Sequence, residues 1–143
     1  MEISNNILTQ RYLDELTYDI LGCAIEVHKH LGPGLLESVY EKCFLAELSL
    51  TDLDYESQIW VPIFYKGMKV QSDLKIDVLV NKLIIVELKA VEAILPVHKA
   101  QLLTYMKLLQ KPKGILINFN CTNIMKEGQK TLVNNYYADL CTE

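Results

Sequence analysis

Residues 83–89, Leu-Ile-Ile-Val-Glu-Leu-Lys, limit the fold more than any other stretch of the chain. A near-continuous apolar run of this length is typical of a strand covered on both faces. Residues 114–119, Gly-Ile-Leu-Ile-Asn-Phe, form a second run of that kind. Two such strands call for a sheet with helices packed on it, and the rest of the chain supplies the helices.

Leu13, Leu16, Ile20, Cys23, Val27 and Leu31 recur at three- and four-residue steps, which predicts an amphipathic helix. Gly32-Pro33-Gly34 ends it, because proline cannot continue the hydrogen-bond ladder and glycine accepts a left-handed turn. A second helix is expected over 35–49 and a third over 97–109, the latter bounded by Pro96 and Pro112. Alternation predicts strands over 58–65 and 70–80, separated by the Lys66-Gly67 turn, with Pro62 marking an edge or bulge. Beyond Asn120 the pattern weakens to a short hairpin around Glu127-Gly128 and a frayed end. The expected class is α/β, with a mixed sheet and a single domain over residues 1–143 (core about 16–119, extension 120–143).

No run approaches the roughly 18 apolar residues of a membrane span. Residues 1–10 lack the basic-then-apolar layout of a signal peptide. Cys23, Cys43, Cys121 and Cys141 are widely spaced, which fits reduced thiols in a cytoplasmic protein better than a disulfide framework or zinc site. A formal charge of −4 argues at first against a polyanionic partner. Its distribution weakens that objection: residues 1–65 carry 3 basic and 11 acidic side chains, whereas residues 66–113 carry 9 lysines and 4 acids. Such asymmetry marks either a surface that meets polyanions or lysines that merely solvate edges and helix faces.

Glu87 and Lys89 are the informative residues. Period-two geometry puts both on one face of a strand that is otherwise apolar, and charges are rarely buried unless paired or bound. By themselves they could simply emerge into solvent and pair. Asp77 interrupts the neighbouring apolar strand, and two carboxylates on adjacent strands suit a hard divalent cation such as Mg²⁺. A two-residue hairpin at Asn81-Lys82 would pair Val80 with Leu83 and send the two carboxylates to opposite faces. A shared site therefore requires a three-residue loop or a bulge. Glu37 and Tyr40 share a helix face that could aim at the same sheet, and Gln101 and Tyr105 lie four apart on the third helix. Glu37 also suits the first helical turn for macrodipole reasons alone. His28, His30 and His98 form no metal-ligand cluster.

Residues 34–40, Gly-Leu-Leu-Glu-Ser-Val-Tyr, match the Gly-x-x-Glu-x-x-Tyr signature of the GxxExxY protein family. Asp77 followed by Glu87-Leu88-Lys89 resembles the core of the PD-(D/E)XK nuclease superfamily that contains this family, with Ile76 where the superfamily's name has proline. Residues 101–105, Gln-Leu-Leu-Thr-Tyr, resemble its Gln-x-x-x-Tyr helix motif. The resemblance runs from about Leu16 to Phe119. It implies a three-layer α/β/α, restriction-endonuclease-like core around a mixed sheet of about four strands. It further implies hydrolysis of phosphodiester bonds through a metal-activated water, on DNA ahead of RNA, with Mg²⁺ as cofactor and Mn²⁺ able to substitute. Carried over, Asp77, Glu87 and the Leu88 carbonyl hold the metal, and Glu37 binds it or orients it through water. Lys89 positions water, Gln101 supports the site, and Tyr105 and Tyr40 face the substrate. The alternative is a non-catalytic module that keeps the fold and binds nucleic acid or protein. The small size suggests that a homodimer or a protein partner supplies substrate grip.

Overall fold

The structure is a computed structural model describing residues 7–143, so residues 1–6 of the stretch read for a signal peptide lie outside the described residues. The first helix, α1, spans Gln10–Leu31. Thr9 caps it by accepting the Tyr12 N–H at 3.1 Å, and Gly32 ends it with φ 66°. Its buried stripe runs through Leu13, Leu16, Ile20 and Val27, as the spacing predicts. After the Gly-Pro-Gly turn, α2 (Glu37–Leu48) buries Tyr40, Phe44 and Leu48 on the same side of the molecule.

The strands are β1 (Tyr55–Trp60), β2 (Ile63–Tyr65), β3 (Met68–Val70), β4 (Lys75–Val80) and β5 (Ile84–Lys89). Then come α3 (Pro96–Leu109), β6 (Lys113–Asn118), α4 (Ile124–Glu127), β7 (Gln129–Val133) and α5 (Asn135–Ala138). The strand expected over 58–65 is broken at Pro62, and the one expected over 70–80 is broken at 71–74. The piece between the breaks folds on itself as a separate two-stranded β2–β3 hairpin around Lys66-Gly67.

The main sheet has five strands in the order β1-β4-β5-β6-β7, mixed in direction because only β5 and β6 run parallel. The expectation of about four strands missed β7. Only Gln129 and Leu132 of that edge strand are half-buried, so it lacks the apolar run that marks β5 and β6. The end of the chain is not frayed either: Gln10 and Arg11 donate backbone N–H groups to the Cys141 and Thr142 carbonyls at 2.8 and 3.0 Å.

Two apolar layers sandwich this sheet. On one face Val78, Val80, Ile84, Val86, Ile115 and Ile117 pack against α1 and α2. On the other, Leu79, Ile85 and Leu116 pack against Leu102, Tyr105 and Met106 of α3. Alternation along β5 and β6 thus produces the α/β/α layering. Among the described residues no helix is long and apolar enough to cross a membrane, and all four cysteines are free thiols.

Candidate metal centre where two strands part

The β4–β5 connection decides which way the two carboxylates point. Val80 pairs with Ile84, leaving Asn81, Lys82 and Leu83 as a three-residue loop. Asn81 and Lys82 both take left-handed backbone, φ 52° and 57°, and the Leu83 N–H returns to the Val80 carbonyl at 2.9 Å. Asparagine tolerates that conformation. The Asn81 side chain also anchors the turn, accepting the Asp54 N–H at 2.8 Å and donating to the Tyr12 hydroxyl at 3.0 Å. With this register Asp77 falls opposite Glu87 on one face, the condition the site required.

The β4–β5 ladder stops at Val78 and Val86. Past that point two carboxylates bridge the strands: Asp77 N–H donates to Glu87 Oε2, and Leu88 N–H to Asp77 Oδ2, each at 2.8 Å. On the other side of β4, Gln58 breaks the β1 pattern with φ 53° and drops out of the ladder opposite Asp77. Ile76 joins the α3-side cluster although strict alternation would place it with Val78. The strand therefore turns at Asp77, between two places where pairing is interrupted.

Glu87 is 6% exposed and Asp77 half-buried. Burial pushes the Glu87 carboxyl up to about 8, reinforced by the facing Asp77. Burial also pushes Asp77 up to about 6, opposed by the Leu88 N–H and reinforced by Glu41 and Glu37. Lys89 pulls both values down, so its ammonium stands near, yet among the described residues it makes no ion pair within 4 Å. The local charge is thus dominated by carboxylates.

Several expected neighbours take distinct places. Glu37 is exposed in the first turn of α2, close enough to act on both carboxylates through its charge. Among the described residues no three His, Cys, Asp or Glu side chains are grouped to hold an ion, so Glu37 does not complete a three-carboxylate cage. Tyr105 is buried on α3, its hydroxyl raised by burial and then by Glu87 and Asp77, while Gln101 is exposed one turn earlier on the same helix. Leu88 turns its N–H, and by strand geometry its carbonyl, toward β4, because the Lys89 carbonyl already accepts the Phe119 N–H on the β6 side.

Tyr40 requires a correction. Expected against substrate, it is fully buried, stacked on Phe119 with ring centroids 4.5 Å apart. Its hydroxyl donates to the Gly32 carbonyl at 2.5 Å and accepts the Leu35 N–H at 3.2 Å. The Gly-x-x-Glu-x-x-Tyr stretch therefore has a structural meaning. Gly34 supplies φ 103° in the turn, Tyr40 fastens that turn, and Glu37 is left at the helix start facing the sheet end.

Two contributors were not anticipated. Glu41 lies one turn after Glu37, accepts the Gln58 amide at 2.7 Å, and acts on Asp77 more strongly than Glu37 does. Asn118, buried beside Lys89 on the next strand, clamps Val91 through both its amide N–H (2.9 Å) and its carbonyl (3.0 Å). That clamp holds the chain leaving β5 just beyond Lys89. His98, by contrast, is a helix cap whose Nδ1 accepts the Leu95 N–H at 3.0 Å.

A family model of the PD-(D/E)XK nuclease superfamily matches residues 14–132. The chain belongs to this superfamily. The match takes in β1 to β6, α2, α3, α4, most of α1 and β7 up to Leu132, the last lying past the expected core limit. Searches of curated proteins and of solved structures returned no match. Membership in the superfamily points to nuclease chemistry, and its members generally use divalent metals. The donor set here fits such a group: two hard carboxylates from adjacent strands, both disfavoured as bare anions by burial, with their second oxygens uncommitted to backbone N–H groups.

Proposed function

We propose that the chain is a metal-dependent nuclease of the GxxExxY type, hydrolysing DNA ahead of RNA. The observation that carries this reading is the facing pair of carboxylates, Glu87 buried and Asp77 half-buried, for which the described residues offer no ion-pair partner within 4 Å. Asp77, Glu87 and the Leu88 carbonyl would hold Mg²⁺ or Mn²⁺, with Glu37 linked through water. When bound, the cation supplies neutralisation of the carboxylates and polarisation of a phosphate oxygen. The chain's own residues do the rest. Lys89, which makes no ion pair among the described residues, orients the attacking water and stabilises charge developing at phosphorus. Tyr105 and Gln101 wall the α3 side, and the Asn118 clamp fixes where Lys89 ends.

The test uses the full chain with Mg²⁺ or Mn²⁺ on DNA and RNA substrates, beside Glu87→Gln and Lys89→Met. Cleavage by wild type alone supports the reading. Equal cleavage by all three proteins, or binding without turnover under every divalent ion, overturns it in favour of contamination or of a non-catalytic binding module.

A further inference from the structure

Among the described residues the β2–β3 hairpin pairs with no other strand, yet it and its root expose large apolar side chains: Trp60 at 56%, Phe64 at 63%, Tyr65 at 59% and Met68 at 63%. A two-stranded hairpin is marginal alone, and exposed apolar side chains in this number mark an interaction surface. The register puts Tyr65 and Met68 on one face of the hairpin and Phe64 beside Lys69 on the other, so both faces present an exposed ring. Lysines interleave with the aromatics. Lys66 lies 5.5 Å from the Tyr65 ring centre and Lys75 lies 4.5 Å from that of Trp60. Residues 60–75 carry three lysines against Asp73 alone, on a chain whose first 65 residues hold 11 acids. A groove of about 720 Å³ lies at the root of the hairpin, lined by residues 60–62 and 69–73, with Lys69 and Asp73 as its charged members.

We infer that this hairpin and the Trp60–Lys75 rung grip an unpaired nucleic-acid strand and lead it to the Asp77–Glu87 site. The inference rests on the proposed nuclease reading for the destination of the strand, but the surface stands on its own features. Lysines answer phosphates, whereas the core of a protein–protein interface is depleted in lysine. Aromatic rings answer bases, and only unpaired bases offer their faces for stacking. The path is short: Lys75 pairs with Trp60 in the β1–β4 ladder and lies two residues before Asp77 on the same strand.

Trp60 is the only tryptophan in the chain, so it reports directly on its own surface. Wild type is titrated with an oligonucleotide of roughly 15 unpaired nucleotides and with the matching blunt duplex, in EDTA. Anisotropy of the labelled DNA and Trp60 fluorescence are both followed. The expected result is tighter binding of the unpaired strand with saturable quenching of Trp60. F64A/Y65A should weaken that binding roughly tenfold, and K66Q/K69Q should weaken it and flatten its salt dependence, with unchanged melting temperatures. Equal or better binding of duplex, binding without quenching, or unchanged affinity in both double variants overturns the inference. So does a hairpin variant that abolishes self-association in sedimentation while binding DNA as before, which would make the patch a protein interface. Cleavage of the same strand with Mg²⁺ separates the two readings. Quenching and hairpin dependence without any cleavage leave the grip standing and remove the nuclease, whereas cleavage indifferent to the hairpin does the reverse.

Discussion

Strands β5 and β6 begin and end beside buried charges, and the two ends handle them in opposite ways. Lys113, which opens β6, is 4% exposed, and its ammonium meets Asp14 Oδ1 of α1 at 2.7 Å. The same oxygen accepts the Tyr137 hydroxyl at 2.9 Å, and the Lys113 ammonium lies 5.4 Å from the Tyr137 ring centre. That charge is answered from within the fold, and Asp14 is held below its ordinary range chiefly by the Lys113 hydrogen bond. At the far end, Asp77 and Glu87 are like charges turned toward each other and held above theirs by burial. An answered charge joins three elements. Two unanswered ones are a liability unless something outside the chain answers them.

The largest expected effect breaks the unanswered end. Glu87→Gln keeps an oxygen for the Asp77 N–H but removes one negative charge, and cleavage should fall on the order of 10³-fold. Metal-free thermal stability at alkaline pH should rise in the same variant. A variant that cleaves normally, or melts lower without metal, would show that the pair is a structural feature.

Titration sharpens the contrast next. Glu87 in the fold keeps its proton to about 8, while in the unfolded chain it loses it near 4.5. The native state thus binds more protons across that window, and metal-free stability should decline as pH rises through it. Mg²⁺ at about a hundredfold its Kd should restore about 2.7 kcal/mol at the alkaline end. Calorimetric melts in EDTA and in Mg²⁺ check both signs. A metal-free stability that climbs with pH would sink the argument.

The answered end should fail differently. Asp14→Ala strands the buried Lys113, which costs less than the about 3–5 kcal/mol of a fully buried pair because Asp14 is half exposed, so about 2 kcal/mol is expected. Denaturant melts should show that loss, with cleavage per folded molecule unchanged. The smallest effect lies at the turn between the strands. Lys82→Gly relieves the left-handed backbone at φ 57° against glycine's greater chain entropy, for a net gain of about 0.5 kcal/mol.

Much of this was legible in the sequence wherever burial imposes a period. The stripe of α1 and the runs of β5 and β6 are visible because one or both faces are wholly covered. Asp77, Glu87 and Lys89 stood out as charges inside such runs. Asn118 interrupts β6 in the same way, and that signal could have found it. The break at 71–74 stayed hidden because Leu74 extends the alternation of Ile76, Val78 and Val80 and so drew the polar Gln71-Ser72-Asp73 into the expected strand, and β7 because its side chains are mostly solvated. Tyr40 was misjudged because spacing gives a helix face and not what covers it. Loop length was undecided because Asn-Lys serves a two-residue turn as well as the three-residue loop observed.

That loop makes the β4–β5 hairpin a parity device. Removing one residue from the Asn81–Leu83 connection, or adding one, would invert every side chain of one strand relative to the other without altering a single site residue. Evolution along this segment is therefore quantised: two-residue changes keep the carboxylates together, and single-residue changes survive only with a compensating bulge. In related chains, the number of residues between the aspartate and the glutamate should be preserved modulo two even where the residues themselves drift.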